Sequence, residues 1–160
     1  MHVKKTGNKW FETQDQIAYY PEFEKEKVVY PNMSYRLMAF WDNEKFLTNQ
    51  KCFIISGDKT KYITALLNSE VEFWYFKKIG ATLGRKGYEM SKIFMENLPL
   101  PPITSANASL VKRIEELVDQ IQSAKKSNPH ADTSALERKI DQIVYQLYEL
   151  TEEEIKIVEG

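Results

Sequence analysis

Apolar residues recur in short alternating runs over the first third of the chain and at helical spacing over most of the rest. Three runs rich in aromatic and β-branched residues, KVVY (27–30), YRLMAF (35–40) and KCFIIS (51–56), are separated by Pro31-Asn32, Asp42-Asn43 and Gly57-Asp58. Such runs between turn signals predict strands, and Pro31 either ends the first of them or marks a sheet edge. From Tyr62 the spacing changes. Apolar positions at 62, 63, 66, 67, 71 and 73–76 fit helix over that length. Asn68-Ser69 is a poor helix interior but a good stop and N-cap, so two helices are expected to meet near Ser69, with Gly80 closing the second.

Three prolines, Pro99, Pro101 and Pro102, then impose an extended exit. Beyond them the chain reads as helical. Asn107 or Ser109 can cap a helix whose Leu110, Ile114, Leu117, Val118 and Ile121 share a face. KSNPHADTS breaks it, and Ser134 with Glu137 predicts a capping box for a second helix striped by Leu136, Ile140, Ile143, Val144 and Leu147. Thr151 with Glu154 predicts another box and a short last helix. The expectation is an α+β protein: a small β-sheet domain with packed helices over about 1–104, then an antiparallel helical hairpin over 105–160.

Net charge is −1, yet the halves differ. Residues 1–98 carry 15 Lys and Arg against 12 Asp and Glu, whereas 99–160 carry 7 against 11. A local excess of positive charge attracts polyanions even when the whole molecule is near neutral. The excess concentrates in KKIGATLGRKGYEMSK, where Lys77, Lys78, Arg85, Lys86 and Lys92 face a single acid, Glu89. Glycines let backbone approach a ligand, cations neutralise phosphates, and Tyr88 can stack on a nucleotide. Such a loop is expected to be flexible; an ordinary solvated turn is the alternative, and Lys77 and Lys78 also complement the end of a helix dipole.

Several chemistries find no support. Gly80, Gly84 and Gly87 match neither dinucleotide-binding nor P-loop spacing. His2, His130 and Cys52 lie in no metal-ligand spacing, so no metal is expected. The lone cysteine points to a reducing, cytoplasmic setting, and no run is long enough to span a membrane. PEFEKEK reads as a solvated charged segment, and the acids at 152–154 as compensation of a helix dipole. Trp10, Phe11, Phe40, Phe53, Trp74 and Phe76 are expected mainly in the core, with Trp41 less clearly so.

The blocks KWFETQDQIAYYPEFEKEKVVYP, CFII, YITALLNSEVEFWYFKKIG, GYEMSKIFMENLPLPPI and IDQIVYQLYELTEEEIKIVE, in that order, resemble the C-terminal target-recognition domain of adenine-specific DNA methyltransferases and fused restriction-modification enzymes, the TaqI-like specificity domain. The Asn-Pro-Pro-aromatic and glycine motifs of the methyltransferase part are missing here; the nearest match is Asn128-Pro129 followed by His130. The resemblance therefore implies a non-catalytic module cut from a longer polypeptide. Its partners would be double-stranded DNA and a methyltransferase or endonuclease domain, and S-adenosylmethionine would bind that domain rather than this chain. It also implies that 27–31 leads into a DNA-facing segment, which makes Asn32, Tyr35 and Arg36, with Tyr88, candidates for reading bases. Lys77, Lys78, Arg85, Lys86 and Lys92 are candidates for phosphates. The rival is a protein-interaction module whose helical stripes pair in coiled-coil fashion with a partner or a second copy.

Overall fold

A computed structural model describes residues 18–160. Its elements run α1 (Tyr20–Phe23), β1 (Lys27–Pro31), β2 (Met33–Ser34), β3 (Phe40–Asp42), β4 (Cys52–Ser56), α2 (Thr60–Asn68), α3 (Glu70–Ile79), β5 (Tyr88–Glu89), α4 (Lys92–Met95), α5 (Ala108–Ser127), α6 (Ser134–Leu147) and α7 (Glu152–Glu159). The class is α+β, as the sequence predicts. Strands β3, β1 and β4 form an antiparallel sheet in that order, with Val28 opposite both Trp41 and Ile55. A second ribbon pairs β2 with β5 antiparallel.

Pro31 ends β1, where the strand is paired with β4 alone, since β3 pairs only with residues 27–29. The predicted strand at 35–40 is not formed. Side-chain chemistry from a distant helix displaces it: the Asn68 amide accepts from Ala39 N at 2.9 Å and donates to Ala39 O at 2.8 Å. One side chain thus supplies what a neighbouring strand would, and 35–39 stays irregular.

Helices α2 and α3 lie between two apolar clusters. Leu66 belongs to one cluster, with Trp41, Tyr62 and Val71 and with Val111, Ile114, Leu117, Ile140 and Val144 from the hairpin. The adjacent Leu67 belongs to the other, with Val28, Tyr30, Leu37, Phe76, Met90 and Leu98. Hence α5 packs on α2 and on α6, and α3 touches both α6 and α7. The stripes of α5 and α6 are buried within the chain, with Val111 fully buried and Leu110 only half-buried.

Of four predicted N-caps, two form as the sequence predicts; at α5 Asn107 holds the cap position, but its side chain accepts from Thr104 N instead of capping the helix. Ser69 separates α2 from α3 and its hydroxyl accepts from Glu72 N. Thr151 and Glu154 form the full box. At α6 the Ser134–Glu137 box is not formed: Thr133 holds the cap position and its hydroxyl donates to Glu137 at 2.6 Å, while Asp132 receives Ser134 N. Gly80 ends α3 in extended backbone (φ −76°, ψ 151°), and a Cβ there would lie 2.6 Å from the Phe76 ring. Packing rather than a left-handed turn selects this glycine.

Among the aromatics, Phe76 is fully buried and Trp74 is packed against the hairpin cluster. Phe40 and Phe53 are exposed, contrary to the expectation of core, because both project from outward-facing strand positions. Trp41 is buried and donates from Nε1 to Thr60 Oγ1. Trp10 and Phe11 lie outside the described residues. Beneath the sheet, Lys27 and Asp42 are fully buried as an ion pair of 2.5 Å. Asp42 also accepts from Glu44 N and Phe46 N, and Lys27 donates to Phe23 O, so the pair is well satisfied.

Candidate nucleic-acid interface

The glycine-rich segment after α3 is a hydrogen-bonded turn. Leu83 N donates to Gly87 O at 2.7 Å, Gly84–Lys86 form one 3₁₀ turn, and Thr82 bridges to Tyr88. Gly87 has φ +92°, and a Cβ on it would fall 2.4 Å from Ser34 O and 3.0 Å from Tyr35 Cα. Only glycine permits that approach. Gly84 is also left-handed (φ +61°) but faces open space.

Pairing of β2 with β5 sets this turn against the segment after β1. Ser34 lies opposite Tyr88, Met33 opposite Glu89, and Met90 N donates to Asn32 O at 2.9 Å. The two groups of candidates, one from the basic turn and one from 32–36, are therefore neighbours. Sequence separation hid this, since the pairing is made by backbone groups some 55 residues apart along the chain.

The individual side chains differ in state. Arg36 holds Glu70 Oε1 at 2.9 Å, and its guanidinium lies 5.5 Å from the centre of the Phe73 ring. Lys77 reaches the same ring at 5.1 Å. Arg36 and Lys77 thus converge on Phe73, each gaining about 0.5–1 kcal/mol from the ring face. Lys78, one residue on and so about 100° round the helix, lies 5.1 Å from the Trp74 ring and points toward the hairpin side. Arg85 is exposed at the tip of the turn, and Lys86 follows it in the backbone. Lys92 is exposed on α4, with Glu96 3.8 Å away.

Tyr88 is half-buried, its ring edge-on to Phe73 and Phe76, both at 5.9 Å. Its ring therefore fastens the turn to α3. Asn32 is half-buried, with its N–H given to Lys51 O. Tyr35, by contrast, is 74% exposed.

Behind Arg36 opens a groove of about 750 Å³, walled by Leu37, Phe40, Trp41, Val118, Ile121 and Ile140. Asp141 lines it and receives Glu70 N at 3.0 Å. Burial, with help from nearby Glu70 and Glu137, pushes the Asp141 carboxyl up to about 6. Sequence reasoning missed Glu70, Phe73 and Asp141, because nothing local to them shows that they meet Arg36 and the groove behind it.

No group of three or more His, Cys, Asp or Glu among the described residues could hold a metal ion. His130 is exposed in the α5–α6 connection and Cys52 is half-buried in β4, while His2 lies outside the described residues. No helix among the described residues is long and apolar enough to cross a membrane.

A small antiparallel sheet, a helix pair and a basic turn tied to the strand-following segment make up an α+β module. The chain belongs to the family of TaqI-like C-terminal specificity domains, which it matches over residues 2–100. A search of curated proteins finds no match to the chain.

Proposed function

We propose that this chain is the sequence-specific double-stranded DNA recognition module of a restriction-modification methyltransferase, itself non-catalytic. It would work in the cytoplasm on behalf of a methyltransferase or endonuclease domain of the same polypeptide. S-adenosylmethionine is assigned to that domain: Gly80 and Gly87, two of the glycines in the basic segment, are taken up by Phe76 and Ser34 of this chain rather than facing a cofactor cradle.

The observation that carries the reading is the β2–β5 ribbon, which sets the hydrogen-bonded basic turn beside the segment 32–36. In this mechanism Lys77, Lys78, Arg85 and Lys86 hold phosphates and fix register, with Lys92 extending the positive surface. Arg36 and Asn32 approach base edges in the major groove. To do so Arg36 exchanges Glu70 for a guanine, trading one planar bidentate acceptor for another.

Against the rival of an interaction module built on helical stripes stands the burial of Ile114, Leu117, Ile140 and Val144 within the chain's own core. The hairpin, proposed as a spacer or docking arm, meets any partner with its outer face or with the groove beside Phe40.

The test separates the two classes of contact. Arg85→Ala with Lys86→Ala weakens binding to all duplexes alike, whereas Arg36→Ala relaxes discrimination at one base position by ~1–3 kcal/mol. Uniform effects of both changes across a set of duplex sequences remove Arg36 from base reading.

A further inference from the structure

Resting on the DNA-binding reading, we infer that Tyr35 acts as a stacking wedge, its ring entering or capping a weakened base step beside the phosphates held by the basic turn. The placement of the ring carries this. Tyr35 is 74% exposed, although an aromatic ring of that size loses free energy by standing in water.

Its backbone is nonetheless held on both sides. Ser34 is paired in β2, Gly87 lies close enough to the Ser34 and Tyr35 backbone that a Cβ on it would collide there, and Leu37, two residues on, is buried at 2% exposure in the core. A flexible loop would let such a ring fold back onto apolar surface, and the Phe40–Trp41 groove starts a few residues away. Here the backbone on each side is committed, so the ring remains outside. Met33, also exposed, adds a second apolar side chain on the far side of Ser34.

The neighbours supply the other half of the argument. Arg36, assigned to base edges, is adjacent in sequence, and the turn that carries Arg85, assigned to phosphates, approaches the backbone of Ser34 and Tyr35, so both kinds of cation stand on the elements that hold this exposed ring. Proteins that part base steps combine such elements: cationic contacts anchor the backbone and an apolar side chain replaces the lost stacking. Tyr88 cannot take this part, since its ring is enclosed by Phe73 and Phe76.

The proposal predicts a preference for duplexes whose stacking is already weakened. The chain is titrated at low salt with three labelled duplexes of one sequence: fully paired, with a single A·C mismatch, and with a single unpaired adenine. Binding to the last two is expected to be about tenfold tighter than to the first. Tyr35→Ala removes that preference, bringing the three duplexes to one affinity; Tyr35→Phe, which keeps the ring, retains it.

Equal affinity for all three duplexes overturns the wedge while leaving duplex binding intact. A Tyr35→Phe variant that behaves like Tyr35→Ala also overturns it, because the hydroxyl would then be reading a base edge. Absence of binding to any of the three overturns both the wedge and the DNA-recognition reading beneath it. Near-ultraviolet circular dichroism of each variant confirms that the packed fold persists.

Discussion

Arg36 is held by Glu70 across 34 positions of sequence, Nη2 to Oε1 at 2.9 Å, directly beside the basic turn. Both side chains are substantially exposed, so the pair contributes little to stability, about 0–1 kcal/mol. Its consequence is positional. The cation best suited to read a guanine is parked against an acid at the start of α3.

Glu70→Gln is therefore expected to raise affinity for duplex DNA severalfold at low salt, by releasing Arg36 and removing a nearby negative charge. Unfolding in urea should shift by no more than about 1 kcal/mol. Fluorescence anisotropy with a labelled duplex measures the first effect. Unchanged or weakened binding would show that Arg36 does not face the DNA.

The two left-handed glycines of the basic turn give a contrasting pair. Gly84→Ala meets only backbone strain, about 1–2 kcal/mol, because its surroundings are open. Gly87→Ala adds a collision with Ser34 backbone and must part β2 from β5. It is expected to destabilise more than Gly84→Ala and to reduce duplex binding far more, as judged by denaturant titration and anisotropy. Equal effects would mean that the ribbon does not organise the interface.

Glu72 carries a pH dependence of stability. It is fully buried on α3, bonded to the Tyr148 hydroxyl, with Oε2 lacking any partner. Burial pushes its carboxyl up to about 7, against a partial lowering by Tyr148. The Tyr148 hydroxyl also donates to Pro99 O at 3.1 Å, and one proton cannot serve both acceptors. A protonated Glu72 resolves this by donating to Tyr148, which donates in turn to Pro99. Burial and Glu72 together raise Tyr148 itself strongly, and Tyr62 nearby goes up to about 12.

Because the folded state holds this proton more tightly than the unfolded chain, the Glu72 contribution is intact below about pH 4.5 and is lost as pH rises toward 7. Glu72→Gln should raise the melting temperature at pH 8 and change it little at pH 5. Thermal melts at the two values check this. A loss of stability at pH 8 would contradict it.

The buried pair makes a double-mutant test. Lys27→Met strands the Asp42 carboxylate in the core and is expected to cost ~3–5 kcal/mol, while adding Asp42→Asn recovers part of that loss. Urea unfolding of the single and double variants measures the coupling. Additive losses would show that the two charges do not depend on one another.

Features decided within a few residues were legible in the sequence. Ser69 and Thr151 announce their caps because capping needs only a hydroxyl and the next turn of backbone, and KVVY and CFIIS pair as strands over almost the predicted ranges. Long-range side-chain contacts were not legible. Nothing near Ala39 reveals that Asn68 will occupy its backbone groups; the α6 cap, by contrast, misses by a single residue, because adjacent Thr133 and Ser134 offer the same hydroxyl chemistry. Within the candidate interface, clustered cations and glycines were readable as composition. That Gly87 seats under Tyr35, that Phe73 gathers Arg36 and Lys77, and that Tyr88 is tied into packing depend on which elements meet.

The most direct measurement of the central claim is the salt dependence of binding to a duplex. If Lys77, Lys78, Arg85 and Lys86 together neutralise about four phosphates, log Kobs falls with log[salt] at a slope of about −3.6, and Arg85→Ala with Lys86→Ala reduces the slope by nearly half. A chain that shows no duplex affinity at low salt, or that binds with no salt dependence, would contradict the assignment of this basic surface to DNA.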